Sequence, residues 1–331
     1  MTEKSTPTNV KKLASDLLLN AASPTEAERI IKEIHTGFQE ITGLTGFDTK
    51  LEHLAAVPTA KGAALGLNHA AQCLLDFKRT TKFLTSVVAA IRNQRAAHPD
   101  QTVEVFYAGC GPYAPFVTLV APLFEPGEVR FSILEINEHS LVFAGKLIED
   151  LGLSGYLRAQ YQADATAFTV PAAADYHLLI SETLDALLYR ECYVPILLNL
   201  LPQFRPGITL IPENVVIKAK LEPTPGSPLQ AEELGIIIDV RKSVAAGNGD
   251  RTIPAQLPNV QVDFSKYDMT TYQRMLLETH VHVSQDNWLT TNESSLTLPL
   301  GLELVQPFTY RCMVFTYLME PSIELTFKLE D

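Results

Sequence analysis

The chain has 331 residues, 46% hydrophobic and 19% charged, a balance that excludes a largely disordered protein and allows a core needing neither disulfide nor metal staples. Its 38 acidic and 26 basic residues leave a net charge of −12, so nucleic acid is not the default partner and a cationic or guanidine-bearing ligand suits the chain better. The four cysteines, Cys73, Cys110, Cys192 and Cys312, have no metal or disulfide spacing and read as free buried thiols of a cytoplasmic protein. No stretch approaches the roughly 20 apolar residues of a membrane span.

Residues 1–100 read as a helical segment. SPTEAERIIKEIHTGFQEI starts with the capping-type string Ser23-Pro24-Thr25-Glu26 and carries apolar residues at three-to-four spacing; AAQCLLDFKRTTKFLTSVVAAIRNQ repeats the pattern. TGLTGFDTK and AVPTAKGAALG read as the loops between them, and Pro24 to Lys32 as a solvated helix face. Over 101–207 the rhythm changes to short apolar strands, TVEVFYAG, VRFSILEI and YHLLISE, alternating with helix-like stretches such as SLVFAGKLIEDLG; GITLIPENVVIKAKL adds two more strands. That alternation predicts a doubly wound, mostly parallel sheet. From 208 to 331 the helical signal fades, and VQVDF, THVHV and IELTFKL predict an antiparallel sheet or barrel. The expected fold is α/β, a Rossmann-like core between a helical N-terminal segment and a β-rich C-terminal domain.

Open α/β sheets bind ligands at the carboxyl ends of their strands. Three features of this core fall there. Ala108-Gly109-Cys110-Gly111-Pro112-Tyr113 follows TVEVFY, and its two glycines let the backbone bend sharply and come close to a ligand. A third glycine is missing, so the string is a poor dinucleotide fingerprint. Glu135, 24 positions beyond Gly111, ends the next strand, where an acid can accept both ribose hydroxyls. Asp164 and Ala165 stand where a further strand should end, within reach of an adenine edge. Together the three point to an adenosyl cofactor.

Ser181-Glu182 ends the strand YHLLIS, and Glu191 comes nine positions later. On one helix that spacing turns through about 900° and sets the two carboxylates on opposite faces. They converge only if the chain bends between them, with Glu182 on the strand end and Glu191 on the following helix.

At these residues the sequence resembles the protein arginine methyltransferases. Ser181-Glu182 and Glu191 match the family's double-glutamate loop in type and spacing. Leu201-Pro202-Gln203-Phe204-Arg205-Pro206-Gly207, with Leu210-Ile211-Pro212, matches its following Pro-Gly turn and strand. The resemblance covers about 65–215. It implies a methyltransferase using S-adenosyl-L-methionine: the turn Gly109-Cys110-Gly111 cradles the methionine part, Glu135 the ribose, Asp164 and Ala165 the adenine. Arg79, in Asp76-Phe77-Lys78-Arg79-Thr80, would pair with the cofactor carboxylate. It also implies a homodimer. The chain departs from the family at Tyr107, where an acid is usual, and at Tyr113, in the third glycine position. It has no Thr-His-Trp motif; Thr279-His280-Val281 is the nearest string. The tail is short for the family's barrel and dimerisation arm.

The two glutamates would grip a planar guanidinium through paired hydrogen bonds and leave one nitrogen free to attack the methyl. The expected acceptor is therefore arginine, an arginine peptide or a small guanidine. The alternatives are an amine or hydroxyl of a small metabolite, and a cofactor-binding partner subunit without activity. A nicotinamide dehydrogenase lacks its closing glycine here. His280 and His282 would share one strand face, as a metal pair needs, but no third ligand lies nearby, so no metal is expected. Trp288 reads as an anchor or a core residue, and Tyr113 as a cofactor cover or a packing residue.

Overall fold

The computed structural model describes residues 7–247 and 251–331. Helix α1 spans Pro7–Leu19 and α2 Pro24–Thr42. Helix α2 buries Ala27, Ile30, Ile31, Ile34 and Phe38 along one stripe, each fully buried Ile or Phe contributing roughly 1.5–3 kcal/mol. Its opposite face carries the exposed pairs Arg29–Glu26, Arg29–Glu33 and Lys32–Glu28, so the solvated reading of 24–32 holds. The helix starts at the expected Ser23 position, but the Ser23 side chain makes no cap bond; Pro24, with φ already set for a helix, marks the start instead.

Helix α3 (Leu51–Leu54) leads into a hairpin, β1 (Val57–Thr59) with β2 (Gly62–Ala64), where the sequence suggested a loop. Helices α4 (Leu67–Gln72) and α5 (Phe77–Ala97) complete the segment.

The core sheet consists of β3 (Val103–Ala108), β4 (Val129–Glu135), β5 (Leu157–Gln162), β6 (Leu178–Ser181) and β7 (Thr209–Ile211). All five are parallel, in the order β5-β4-β3-β6-β7. Every residue of β3 and β6 is buried, as central strands covered on both faces require. Helices α6 (Pro115–Thr118), α7 (Glu138–Asp150) and α8 (Tyr193–Leu200) lie in the crossovers. Strand β7 follows the boundary expected at 207 and belongs to the core sheet by its pairing with β6. The winding runs from β3 outward to β5 and then reverses through β6 to β7. The carboxyl ends of β3 and β6 thus flank the switch point at which such sheets take their ligands.

The rest is antiparallel: β8 (Asn214–Pro223), β9 (Glu232–Asp239), helix α9 (Val240–Ala245), β10 (Val260–Asp263), β11 (Tyr272–Ser284), β12 (Asn287–Leu289), β13 (Leu300–Glu303), β14 (Cys312–Leu318) and β15 (Glu324–Glu330). One sheet has the order β12-β11-β8-β9 with β13 also on β11, and a second the order β10-β14-β15. Along β11, Leu277, Thr279, Val281 and Val283 are buried, and His280 and His282 occupy the alternate positions. The structure thus has the expected Rossmann-like core, helical N-terminal segment and β-rich C-terminal region. Among the described residues, no helix is long and apolar enough to cross a membrane.

Candidate active site

The loops after β3, β4 and β6 enclose a pocket of about 1090 Å³, counting its open mouth. All nine residues singled out as catalytic or cofactor-binding lie in its wall: Arg79, Gly109, Cys110, Gly111, Glu135, Asp164, Ala165, Glu182 and Glu191.

After β3 the chain turns through left-handed φ values of 74° at Gly109 and 63° at Gly111. Three successive amides bond to the end of β4: Gly109 N–H to the Leu134 carbonyl at 2.8 Å, Cys110 N–H to the same oxygen at 3.3 Å, and Gly111 N–H to Glu135 Oε2 at 2.9 Å. The Cys110 carbonyl accepts from the Tyr107 hydroxyl at 3.3 Å, and burial pushes the Cys110 thiol well up. Cys110 therefore shapes the turn with both of its backbone groups. The two glycines have different tasks. A Cβ on Gly109 would stand 2.3 Å from Thr183 Cγ2, so the close approach there is to the glutamate loop; a Cβ on Gly111 would meet nothing within 4 Å.

Glu135 is buried, and its Oε1 accepts the Asn137 amide at 2.9 Å. Burial pushes its carboxyl up while the amides of Asn137 and Gly111 oppose the shift. A carboxylate offers about four acceptor positions, and with the Ile136 amide also facing it Glu135 keeps some capacity for a ligand hydroxyl.

The Asp164 carboxylate is largely committed within the protein. Its Oδ1 accepts the Thr166 amide at 2.8 Å and hydroxyl at 2.7 Å, and its Oδ2 the Ala60 amide at 2.7 Å. The Ala165 carbonyl accepts from Asn199 Nδ2 at 2.9 Å. Ala60 is in the turn of the β1–β2 hairpin, which roofs the pocket. Thr59 Oγ1 lies 3.2 Å from Cys192 Sγ, and Lys61 pairs with Glu320 from the C-terminal region. The sequence reading had no place for this roof.

Glu182 follows β6, and its Oε2 accepts from Arg79 Nη2 at 2.5 Å; the two side chains are 11% and 7% exposed. Its Oε1 is buried without a hydrogen-bond partner. The chain then bends back through Leu187 and Leu188 at φ 60° and 55°, a left-handed conformation that costs non-glycine residues about 1–2 kcal/mol each. Long-range bonds hold it there: the Leu187 amide donates to Thr279 Oγ1 at 2.8 Å, and the Tyr317 hydroxyl to the Leu188 carbonyl at 2.7 Å. Glu191 returns to the same pocket, but from the loop rather than from the following helix, because the left-handed pair delays α8 until Tyr193.

Burial pushes Glu191 up to about 8; Arg79 opposes the shift, and Asp185, Glu182 and Glu135 add to it. Burial also raises Glu182, against the pull of Arg79. At neutral pH Glu191 is therefore mostly protonated, while Glu182 lies against the Arg79 guanidinium. Of the Arg79 fork, Nη2 is engaged by Glu182 rather than directed wholly at a ligand.

Asp76, three positions before Arg79, joins the site through its carboxylate. Its Oδ1 accepts the Arg79 amide at 3.3 Å, which caps α5. Its Oδ2 accepts the Ser294 hydroxyl at 2.7 Å, the Ser295 amide at 2.8 Å and the Ser295 hydroxyl at 2.7 Å. It thus ties the first turn of α5, and Arg79 with it, to the C-terminal region. The Asp-x-x-Arg spacing signals the cap, but no local pattern signals the serines.

Tyr113 lines the pocket and also packs: its hydroxyl donates to the Leu44 carbonyl at 2.9 Å, and its ring meets Phe38 and His35. The His282 ring stacks on Trp288 with centroids 4.1 Å apart, and among the described residues no group of His, Cys, Asp and Glu could hold a metal ion.

No family model and no curated protein matches this chain. Among solved structures, it is similar to the PRMT1 enzyme–prozyme heterotetrameric complex of Trypanosoma brucei with AdoHcy. That similarity has 11% identity and a TM-score of 0.47 over 78% of this chain and 92% of that one. It is also similar to a Methanococcus maripaludis protein assigned as an S-adenosyl-L-methionine-dependent methyltransferase, at 18% identity and a TM-score of 0.25 over 32% of this chain and 46% of that one.

Proposed function

We propose that this chain is an S-adenosyl-L-methionine-dependent methyltransferase acting on a guanidine nitrogen. The observation that carries the reading is a pair of buried carboxylates, Glu182 and Glu191, in one pocket with a glycine turn and a strand-end acid. The residues fit the cofactor: Gly111 borders open space, Glu135 keeps acceptor capacity for a ribose hydroxyl, and Arg79 has N–H groups beyond Nη2 for a carboxylate. Bound there, the cofactor supplies an electrophilic methyl on a sulfonium.

The protein's task is alignment and charge. A guanidinium is a weak nucleophile, because its lone pairs are delocalised and its pKa exceeds 12. Glu182 Oε1, with no partner of its own, and the Glu191 carboxyl would accept from its N–H groups and hold its positive charge away from the attacking nitrogen. Arg79 fixes Glu182 for that task. With Glu191 protonated up to about pH 8, capture of a cation displaces a proton. Apparent affinity for a guanidinium should therefore rise about tenfold per pH unit below pH 8 and level off above it.

Glu182→Gln and Glu191→Gln test the reading, with labelled methyl donor offered alongside arginine, arginine peptides, small guanidines and simple amines. Each variant should lose at least about 100-fold in turnover while calorimetry finds cofactor binding retained. Wild-type turnover in both defeats the assignment. The hairpin roof, anchored at Asp164, Cys192 and Glu320, favours a small acceptor over a folded protein. Preferred methylation of a small amine or hydroxyl compound would move the reading to that class.

A further inference from the structure

The glutamate loop contains a third carboxylate, Asp185, for which the reading above has no task. Asp185 is not part of the pocket wall. Its Oδ1 accepts the Glu191 amide at 3.2 Å, and its Oδ2 is buried with no hydrogen-bond partner. An unpartnered carboxylate oxygen in the interior is unfavourable unless the site uses its charge. The bonds of Leu187 to Thr279 and Leu188 to Tyr317 pin the backbone between Asp185 and Glu191 to the C-terminal region.

We propose that Asp185 is a positioning residue: its Oδ1 holds the Glu191 amide and so aims the Glu191 carboxyl into the pocket, while its unpartnered Oδ2 adds negative potential behind that carboxyl. The inference rests on the reading of Glu191 as an acceptor-gripping group.

The groups facing Glu191 support this. Arg79 from α5 favours its ionised form; Glu182 after β6, Glu135 at the end of β4 and Asp185 oppose it, and Asp185 is the strongest of the three. The thiols of Cys73 and Cys192, both raised to about 11 with burial as the first cause, stay neutral over the range in which Glu191 titrates. Burial raises Asp185 as well, while the amides of Glu191 and Arg190 hold it down. Asp185 is thus tied to Glu191 through the Glu191 amide, in a loop whose bend is held by Thr279 and Tyr317.

Asp185→Asn keeps an acceptor for the Glu191 amide and removes the charge. In the cofactor-loaded enzyme, the pH at which KM for a small guanidine levels off should fall by about one unit. Asp185→Ala removes the acceptor too, and should raise KM across the whole pH range. A readout independent of turnover is the melting temperature between pH 5 and pH 8: Asp185→Asn should flatten its decline, and should leave it unaltered in a Glu191→Gln background. Asp185→Ser supplies the neutral variant if the asparagine form does not fold. An unchanged pH dependence in the neutral variant overturns the proposal. A flattened decline, combined with full methyl transfer by Glu191→Gln, upholds the coupling and sinks the functional reading instead.

Discussion

Residues 108–113 and 182–191 press against each other over one pocket and are built on opposite terms. In the glycine turn, the left-handed φ values fall on Gly109 and Gly111, and three successive amides bond to the end of β4. In the glutamate loop, left-handed φ values fall on Leu187 and Leu188, two carboxylate oxygens lack partners, and Glu191 keeps its proton to about pH 8. A surface that only holds a ligand can be relaxed before the ligand comes. On the proposed reading the glutamate loop answers an arriving charge, and its strain and unmatched polarity, sustained by the surrounding fold, are the reserve for that task.

The contrast breaks most readily at Arg79. Arg79→Ala leaves Glu182 buried with no cation, which should cost about 3–5 kcal/mol in denaturant unfolding. A loss below about 1 kcal/mol, the range of exposed pairs, would mean that the pair carries no such reserve.

Glu191→Gln sharpens it. The folded protein binds the Glu191 proton up to about pH 8, against an ordinary 4.5, and the unfolded chain gives it up sooner. The wild type thus has this contribution in full below pH 4.5 and loses it as pH rises to about 8. The glutamine variant escapes the loss. It should be more stable than wild type at pH 8 by roughly 2–4 kcal/mol, with the gap shrinking toward pH 5. Parallel unfolding curves at both pH values would remove the reserve.

The smallest effects separate the two glycines. Gly109→Ala combines a φ of 74° with the Thr183 methyl and should cost about 2–3 kcal/mol, part of it recovered by Thr183→Ser. Gly111→Ala meets open space and should cost about 1 kcal/mol, yet should weaken cofactor binding measurably by calorimetry. Equal stability losses would contradict the different surroundings of the two positions.

The glycine turn and the acids at strand ends were legible because a strand's apolar run and the glycines after it are local signals. Strand β5 was not read as a run, since LRAQYQ is an edge strand with no buried position. The hairpin hid in AVPTAKGAALG because its register is fixed by Asp164, Cys192 and Glu320, all more than a hundred positions away. The Arg79–Glu182 and Asp76–Ser294 contacts are likewise made by folding. The bend between the glutamates was inferable from their spacing. That Leu187 and Leu188 would make it was not, because leucine carries no local signal for that backbone.

The Ala60 amide hydrogen reports on the roof. It is donated from the hairpin to Asp164, a residue of the wall beneath it, so its exchange with solvent measures how often the two separate. A molecule enclosed under the hairpin should slow that exchange, and one that only grazes the mouth should leave it alone. A single backbone proton would then distinguish occupancy from encounter with no chemistry taking place.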